Sequence, residues 1–277
     1  MRFLSSALRA MLALAMACSG APALAQSGKA ELLWLGQSAF RLTTPGGKVI
    51  VIDPWLRTNP ATPAEYKELG KLGKVDLILV THGHFDHIAD APALAVLNKA
   101  RLYAPGDLNQ TLTVLGVLPA EQLPRMNKGG TVAPFADAPG IRITEVRADH
   151  SSVYVWKNPV TGKDETHVGG EPVGFIIELE NGFRIWHMGD TGLFSDMMFI
   201  ADYYKPDLVL LPIGGNFTMD PKDAAFATRE WIRPKFAIAM HYGTNPLARG
   251  TLAQYLEALG DTPTKVLTLK PGDKVEF

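Results

Sequence analysis

The 277-residue sequence predicts one α/β domain of the α+β kind, built on a mixed sheet, and three observations carry that expectation. Apolar runs of strand length recur from residue 31 to residue 240, and stretches with helical patterning separate several of them. Four of the runs close at Val80, Ala148, His187 and Met240, each followed within a few residues by histidine or aspartate. Short apolar runs bounded by turn residues read as buried strands. Polar side chains collected at strand ends fit loops that line one edge of the core.

In chain order, Glu31-Leu-Leu-Trp-Leu35, Ala39-Phe-Arg-Leu-Thr43 and Lys48-Val-Ile-Val-Ile52 read as strands, the last two joined as a hairpin across Pro45-Gly-Gly47. Asp76-Leu-Ile-Leu-Val80 is the next strand, followed by a helix over 91–99, a short strand over 101–104 and another helix from Gly106. Ile141-Arg-Ile-Thr-Glu-Val-Arg147 alternates apolar with polar, the pattern of a half-buried strand, and runs into Asp149-His150. Strands over 173–180 and 183–187 flank Asn181-Gly182, the strongest short-range hairpin signal, and the second delivers Met188-Gly-Asp190. A helix around 195–203 leads to the strand Asp207-Leu-Val-Leu-Leu-Pro212. Asp220-Pro221 supplies a helix N-cap with proline at the first helical position. Lys235 to Met240 is a last buried strand, and it stops at His241.

Residues 1–25 read as a secretory signal: a basic start with Arg2 and Arg9, the apolar segment Ala10 to Ala17, and an Ala-x-Ala cleavage site at Ala23-Leu-Ala25. The apolar segment is too short to span a bilayer, which needs about 20 residues. A lipoprotein anchored through Cys18 is the competing reading, weakened by Ala15 in the place where leucine is usual. The mature domain, 26–277, is therefore expected in the periplasm or outside the cell, with no integral membrane span. Losing Arg2 and Arg9 lowers the basic residues from 27 to 25 against 28 acidic ones, a balance of −3, so charge does not indicate a nucleic-acid-binding surface and no nucleic-acid partner is expected. Cys18 is the only cysteine, so the mature chain has neither a disulfide nor a thiolate ligand. Neither a linker nor an internal repeat divides it.

The chemistry sits in Thr81-His-Gly-His-Phe-Asp-His87. Alternate residues of an extended chain share a face, which puts His82 and His84 together, while Asp86 and His87 turn toward a second position. Three imidazoles and a carboxylate crowded at a strand end repel when protonated and otherwise need partners, and a metal meets both demands. Five of the seven histidines, His82, His84, His87, His150 and His241, lie at strand ends with Asp86 and Asp190. Asp190 precedes Thr191-Gly192, so on pattern alone it is either a ligand or a turn residue. Histidine with carboxylate suits Zn²⁺, Mn²⁺ or Fe²⁺, and zinc is the first choice.

The ordered segments THGHFDH, ADHSS, HMGDTG and MHYGT resemble the metallo-β-lactamase-fold hydrolases, over nearly the whole mature chain. Leu35-Gly-Gln-Ser-Ala39, Ile52-Asp-Pro-Trp55, Gly189-Asp-Thr-Gly-Leu-Phe194 and the segment Pro212 to Pro221 resemble a metal-dependent hydrolase branch of that superfamily. Its relatives include the L-ascorbate-6-phosphate lactonases and, more distantly, the N-acylphosphatidylethanolamine phospholipases D. The resemblance implies a four-layer αββα sandwich with two divalent metal ions in a groove at the sheet edges. His82, His84 and His150 would hold the first ion, Asp86, His87 and His241 the second, and Asp190 would bridge both.

The implied enzyme is a metal-dependent hydrolase in which a metal-bound hydroxide attacks an ester, lactone or phosphoester of a small-molecule substrate, with Asp86 as the catalytic residue that orients it and accepts its proton. The β-lactam-cleaving members often use a cysteine ligand and lack a bridging aspartate, so antibiotic hydrolysis is not expected. The diiron flavoproteins usually carry glutamate where His84 stands, which argues against a redox role. A phospholipase D-type phosphodiesterase is the alternative enzyme, and a non-catalytic metal- or ligand-binding protein of the same fold is the alternative from another class. The oligomeric state is left open.

Other residues carry weaker signals. Asp53 is expected to be a hydrogen-bond acceptor for the metal loop, His187 a satisfied buried histidine, and His167 a solvated loop residue. Asn216 and Thr218, in a glycine-rich loop after a strand, are either substrate contacts or turn scaffolding. Trp34, Trp55 and Trp156 either line an apolar groove or pack the core. The segment Tyr154 to Gly170 is expected to be an insertion that overhangs the groove.

Overall fold

Strands whose faces are both apolar must be covered on both sides, and that requirement builds this molecule from the middle outward. The computed structural model describes residues 28–277, so the expected signal at 1–25, with Cys18, lies outside the described residues. The strands are β1 (Glu31–Gly36), β2 (Ala39–Thr43), β3 (Val49–Ile52), β4 (Leu77–Leu79), β5 (Arg101–Tyr103), β6 (Thr131–Val132), β7 (Arg142–Arg147), β8 (Val153–Lys157), β9 (Asp164–Val168), β10 (Val173–Glu178), β11 (Arg184–His187), β12 (Leu208–Pro212), β13 (Phe236–Met240), β14 (Lys265–Val266) and β15 (Lys274–Glu276). The helices are α1 (Phe85–Ile88), α2 (Ala91–Asn98), α3 (Gly106–Val114), α4 (Asp196–Tyr204), α5 (Pro221–Phe226), which runs on through a π turn at Ala227–Ile232, and α6 (Leu252–Leu259).

One sheet has the order β15-β1-β2-β3-β4-β5 and the other β14-β13-β12-β11-β10-β7-β6. Between them Leu32, Phe40, Ile50 and Leu79 meet Ile143, Phe175, Ile185 and Leu210. Their sequence neighbours Leu33, Val51 and Ile78 point the other way, onto Leu94 of α2 and Leu108 of α3. On the far side Trp186, Val209 and Leu211 face Met197, Ala224 and Tyr255 of α4, α5 and α6. This is the four-layer αββα sandwich. Each fully buried leucine or isoleucine in it contributes roughly 1.5–3 kcal/mol.

Strand direction then decides where the polar loops gather. β3, β4 and β5 run parallel, as do β11, β12 and β13, and β7 lies two antiparallel steps from β11 and so shares its direction. The C-terminal ends of β3, β4, β7, β11 and β13 therefore emerge at one edge. The two sheets touch there: the N–H of Val173 donates to the carbonyl of Thr81 at 3.0 Å. Gly189 allows the contact, with φ +65° and only 2.7 Å from a would-be Cβ to the Val173 carbonyl oxygen.

The predicted strands and helices are present with ends shifted by one or two residues, and Asp220 caps α5 by accepting from the N–H groups of Lys222 and Asp223. The segment 154–170 differs from expectation. It is a two-stranded hairpin, β8 with β9, and the Thr111 hydroxyl of α3 donates to the carbonyl of Val168, so the arm leans on α3. His167 is accordingly not a solvated loop residue: it sits in β9 with its ring 5.9 Å from that of Trp156. Two short C-terminal strands had no readable signal, because Lys265–Val266 and Lys274–Glu276 are too brief to show a period. Among the described residues, no helix is long and apolar enough to cross a membrane.

One polar residue breaks the inner face of β7. Glu145 is fully buried, neither carboxylate oxygen has a hydrogen-bond partner among the described residues, and burial pushes its carboxyl up to about 7 against the downward pull of Lys128. The folded chain thus holds a proton that the unfolded chain releases at an ordinary glutamate pKa, so native stability is lost as pH rises from about 4.5 through 7. Glu145→Gln is expected to leave stability nearly unchanged at pH 5 and to raise it at pH 8 by on the order of 3 kcal/mol. Urea unfolding of both proteins at the two pH values tests this. An equal difference at pH 5 and pH 8 contradicts it.

Candidate metal centre

The cluster is assembled around Asp53, the residue after β3. Its Oδ1 accepts the Thr81 N–H at 2.7 Å, and its Oδ2 accepts the Thr81 hydroxyl at 2.8 Å and lies 2.7 Å from His87 Nδ1. These contacts assign the imidazole tautomers. With its proton on Asp53, the Thr81 oxygen is left to accept from His82 Nδ1 at 3.1 Å, and Asp53 takes the Nδ1 proton of His87. Nε2 of each ring then faces the cluster, as a lone pair on His82 and, on His87, as the atom whose proton an incoming ion would displace. Asp53 is therefore the outer acceptor predicted from sequence, and it fixes two candidate ligands at once.

Each remaining residue reaches the site from its own strand end. His84 caps the single turn α1, which curls the chain so that Asp86 and His87 approach from another side. His150 follows β7, Asp190 follows Gly189 beyond β11, and His241 follows β13 with φ +57°. Gln37 and Asp53 also have positive φ, at +52° and +46°. Such backbone strain at non-glycine residues costs about 1–3 kcal/mol each and clusters where function demands it.

All seven sequence-predicted residues come together. The candidate ligand atoms of His82, His84 and His150 lie within 4.8 Å of one another, and so do those of Asp86, His87 and His241. His82 Nε2 is 2.9 Å from His84 Nδ1, and the His82 and His87 rings, one from each triad, are 4.1 Å apart. Asp190 lies between the triads: its Oδ2 is 3.6 Å from His150 Nε2 and 2.9 Å from His241 Nε2, and its Oδ1 is 3.3 Å from His87 Nε2.

Two observations show that these residues fit divalent ions. His87 Nε2, both His241 ring nitrogens and Asp190 Oδ1 are buried without an aligned hydrogen bond, although ligand-type atoms crowd around them. Orphaned donors and acceptors in contact are what remains when side chains are aimed at a shared cation rather than at each other. The donor set, imidazole with carboxylate and no sulfur, is that of Zn²⁺, Mn²⁺ or Fe²⁺.

Charge tells the same story. Burial pushes the pKa of His82 well below its ordinary value and lowers those of His84 and His150, so these three are neutral donors at pH 7. Burial also works to lower His87 and His241, but the carboxylates outweigh it: Asp190, Asp53 and Asp86 hold His87 well above its usual range, and Asp190 and Asp86 lift His241 to about 9. Asp86 is held at about 2, and Asp190 well below the usual carboxylate range, by His87 and His241 against the upward push of burial. Protons thus stand where the second triad would hold a cation.

Gln37 escaped the sequence reading. Its Nε2 donates to Asp86 Oδ2 at 3.0 Å, its Oε1 accepts from the Thr244 hydroxyl, and its carbonyl accepts the His241 N–H, so it braces two ligand loops. A polar residue inside Leu35-Gly-Gln-Ser-Ala39 offers no spacing that reveals this.

Beside the cluster opens a cavity of about 350 Å³, with His84, Asp86, Asp190 and His241 at its base and Phe85, Phe217 and Asn245 around it. Phe217 stands where Asn216 and Thr218 had been singled out; Asn216 takes the left-handed backbone and Thr218 bonds locally to the Met219 carbonyl, so both are turn scaffolding. No residue of the β8–β9 arm is among those that line the cavity, although His150 and Ser151, just before β8, are. His187 is satisfied, its Nε2 on the Ser38 carbonyl at 2.9 Å and its Nδ1 on the Gly189 N–H at 3.2 Å. Trp34 is core, and Trp55 backs Phe85 with ring centroids 5.4 Å apart.

The sequence profile of the beta-lactamase superfamily domain matches residues 48–242. A UPF0173 metal-dependent hydrolase of Polaromonas sp. is 68% identical over 276 residues, covering 98% of this chain and 100% of that protein. A second UPF0173 metal-dependent hydrolase, from Cupriavidus necator, is 62% identical over 252 residues, 91% of this chain and 87% of its own length. Among solved structures, Igni18, a metallo hydrolase from Ignicoccus hospitalis, superposes with a TM-score of 0.75 at 34% identity over 90% of this chain and 98% of that one.

Two predictions test the geometry. Asp53→Asn keeps an oxygen for the Thr81 N–H but can present an amide nitrogen to His87; metal affinity measured by chelator competition is expected to fall roughly 10- to 100-fold with the fold intact. An unchanged affinity contradicts the role given to Asp53. Metal ligation must also displace the protons on His87 and His241, which only the free form carries, so apparent affinity rises with pH and the His241 share of that rise ends near pH 9, from its pKa of about 9. Calorimetric titration with Zn²⁺ at pH 7, in buffers of different ionisation enthalpy, is expected to show roughly two protons released per chain. Binding without proton release contradicts it.

Proposed function

This chain belongs to the β-lactamase superfamily and, within it, to the UPF0173 metal-dependent hydrolases, and from that premise we propose that it hydrolyses an ester, lactone or phosphoester of a small molecule at a site holding two divalent ions, zinc first among them. The observation that carries this reading is the position of Asp190, whose carboxylate lies within 3.6 Å of nitrogens from both histidine triads. His82, His84 and His150 would hold one ion and Asp86, His87 and His241 the other, with Asp190 shared.

When bound, such a pair of ions acidifies water toward neutral pH and withdraws charge from the scissile carbonyl or phosphoryl oxygen. The chain supplies the rest. Asp86 is an anion at neutral pH, its Oδ2 engaged by Gln37, and it orients the attacking water through a hydrogen bond. As the new bond forms, the Asp86 carboxylate accepts the proton that the attacking water gives up. Asn245 offers a neutral donor at the cavity wall: its carboxamide oxygen accepts the Leu247 N–H, leaving the NH₂ for substrate oxygen. The basic, apolar and Ala-x-Ala features of residues 1–25 support export to the periplasm or out of the cell as the setting of the reaction.

The test is reconstitution with Zn²⁺ or Mn²⁺, metal analysis, and a screen on lactone, thioester, carboxylic ester and phosphodiester substrates. Two ions per chain are expected, with hydrolysis reduced by roughly 10²-fold or more in His84→Ala and Asp86→Ala. Fewer than one ion per chain, or hydrolysis indifferent to both substitutions, sinks this reading.

A further inference from the structure

The cavity beside the cluster has a division of character that narrows the substrate. Its base is entirely polar, and beyond that base stand two large aromatic side chains exposed to solvent. Phe85 is 65% exposed and Phe217 41% exposed, although each belongs to a segment otherwise fixed in place. Phe85 opens α1 directly after His84, and its ring meets that of Trp55 in a T-shaped arrangement, centroids 5.4 Å apart and planes at 83°. Trp55 is itself anchored, its indole N–H donating to the Thr58 hydroxyl at 2.7 Å. Phe217 rides a loop closed by the Gly215 N–H on the Met219 carbonyl and tied to the site by the Met219 N–H on the Thr191 carbonyl, next to Asp190. Two rigidly mounted, water-exposed rings at the rim of a polar site are poised to bury apolar surface of whatever enters.

The charges around the cavity point the same way. Among the described residues, no lysine or arginine lines it. Nearby cations are already engaged: Arg57 by Asp90, and Arg147 by Asp196 and Asp149. Arg249 lines a separate hollow beyond Asn216 and Leu247. A phosphate, sulfate or carboxylate carried away from the scissile bond would therefore lose water at the aromatic rim without gaining a cationic partner.

We propose that Phe85 and Phe217 form an aromatic clamp for a neutral, apolar acyl or alkyl chain flanking the scissile bond, so that the substrates are hydrophobic esters or lactones with no second anionic group. This rests on the hydrolase reading above and restricts it: sugar-phosphate lactones and thioesters of polyanionic carriers fall outside the class.

Matched probes that differ only at the far end of the chain decide the matter. With the metal-loaded protein, 4-nitrophenyl hexanoate is expected to be hydrolysed with a kcat/KM about tenfold or more above that of mono-4-nitrophenyl adipate, whose chain ends in a carboxylate. Phe217→Ala and Phe85→Ala are each expected to collapse the preference for hexanoate over acetate by about tenfold, through KM, with bound metal unchanged. Phe217 lies on an exposed loop, so its variant stays informative if loss of the Trp55 contact unfolds Phe85→Ala. Ligand-observed NMR with hexanamide and adipic acid monoamide asks the same question without turnover. Hexanamide binding that weakens in the variants, with no ester, lactone or phosphoester hydrolysed, keeps the clamp and overturns the reading of the bond cleaved. Equal or better use of the adipate ester, or hexanamide binding no tighter than the monoamide, overturns the clamp.

Discussion

Asp53 accepts three hydrogen-bond donors, and the site depends on all of them. By taking the Thr81 N–H and hydroxyl it locks the end of β4 against the end of β3, and by taking the Nδ1 proton of His87 it sets which nitrogen that ring offers. His82 inherits its orientation through the same threonine oxygen. A carboxylate buried without partners would be costly, so this contact set is also what permits Asp53 to sit fully buried behind the cluster. Orientation and burial are one constraint here.

The layered core makes that constraint possible. Because β3, β4, β11, β12 and β13 are covered on both faces, their side chains leave no freedom in register, and their C-terminal ends arrive together at one edge. Loops leaving a rigid edge can hold strained backbone, and Gln37, Asp53 and His241 all do so. Gln37 then links the loop that carries Asp86 to the loop that carries His241, across elements 49 and 207 residues apart from it in sequence. The wall above the cluster differs in character, since Phe85 and Phe217 face water.

The cluster concentrates two carboxylates and five imidazoles in a space from which water is largely withdrawn, and the directions of their proton affinities follow from position. In His82, His84 and His150 burial outweighs the pull of Asp190 and lowers proton affinity, whereas in His87 and His241 the carboxylates outweigh burial and raise it. The same neighbours that hold those protons are the ones that would share a cation. Acid–base character and metal preference thus have a common origin in the placement of Asp190.

What the sequence determined alone was local: apolar runs long enough to be strands, the Asn181-Gly182 turn, the Asp220-Pro221 helix start, and ligand-type side chains following strand ends, including all seven members of the cluster. Each of those signals lies within a few residues of its cause. The rest required chain segments far apart in sequence to meet. That Asp190 touches both triads, that Gln37 braces Asp86, and that Phe217 rather than Asn216 or Thr218 faces the cavity are consequences of how two sheets pack. The β8–β9 arm shows the same limit: its strands lie in a polar insertion, and it is held by contacts with distant segments, among them Thr111 of α3 with Val168, Gly83 with Ser152, and Tyr154 with the helix-side core. Composition and period govern what a segment can become, whereas the partner that satisfies its last polar atoms is chosen only when the layers close.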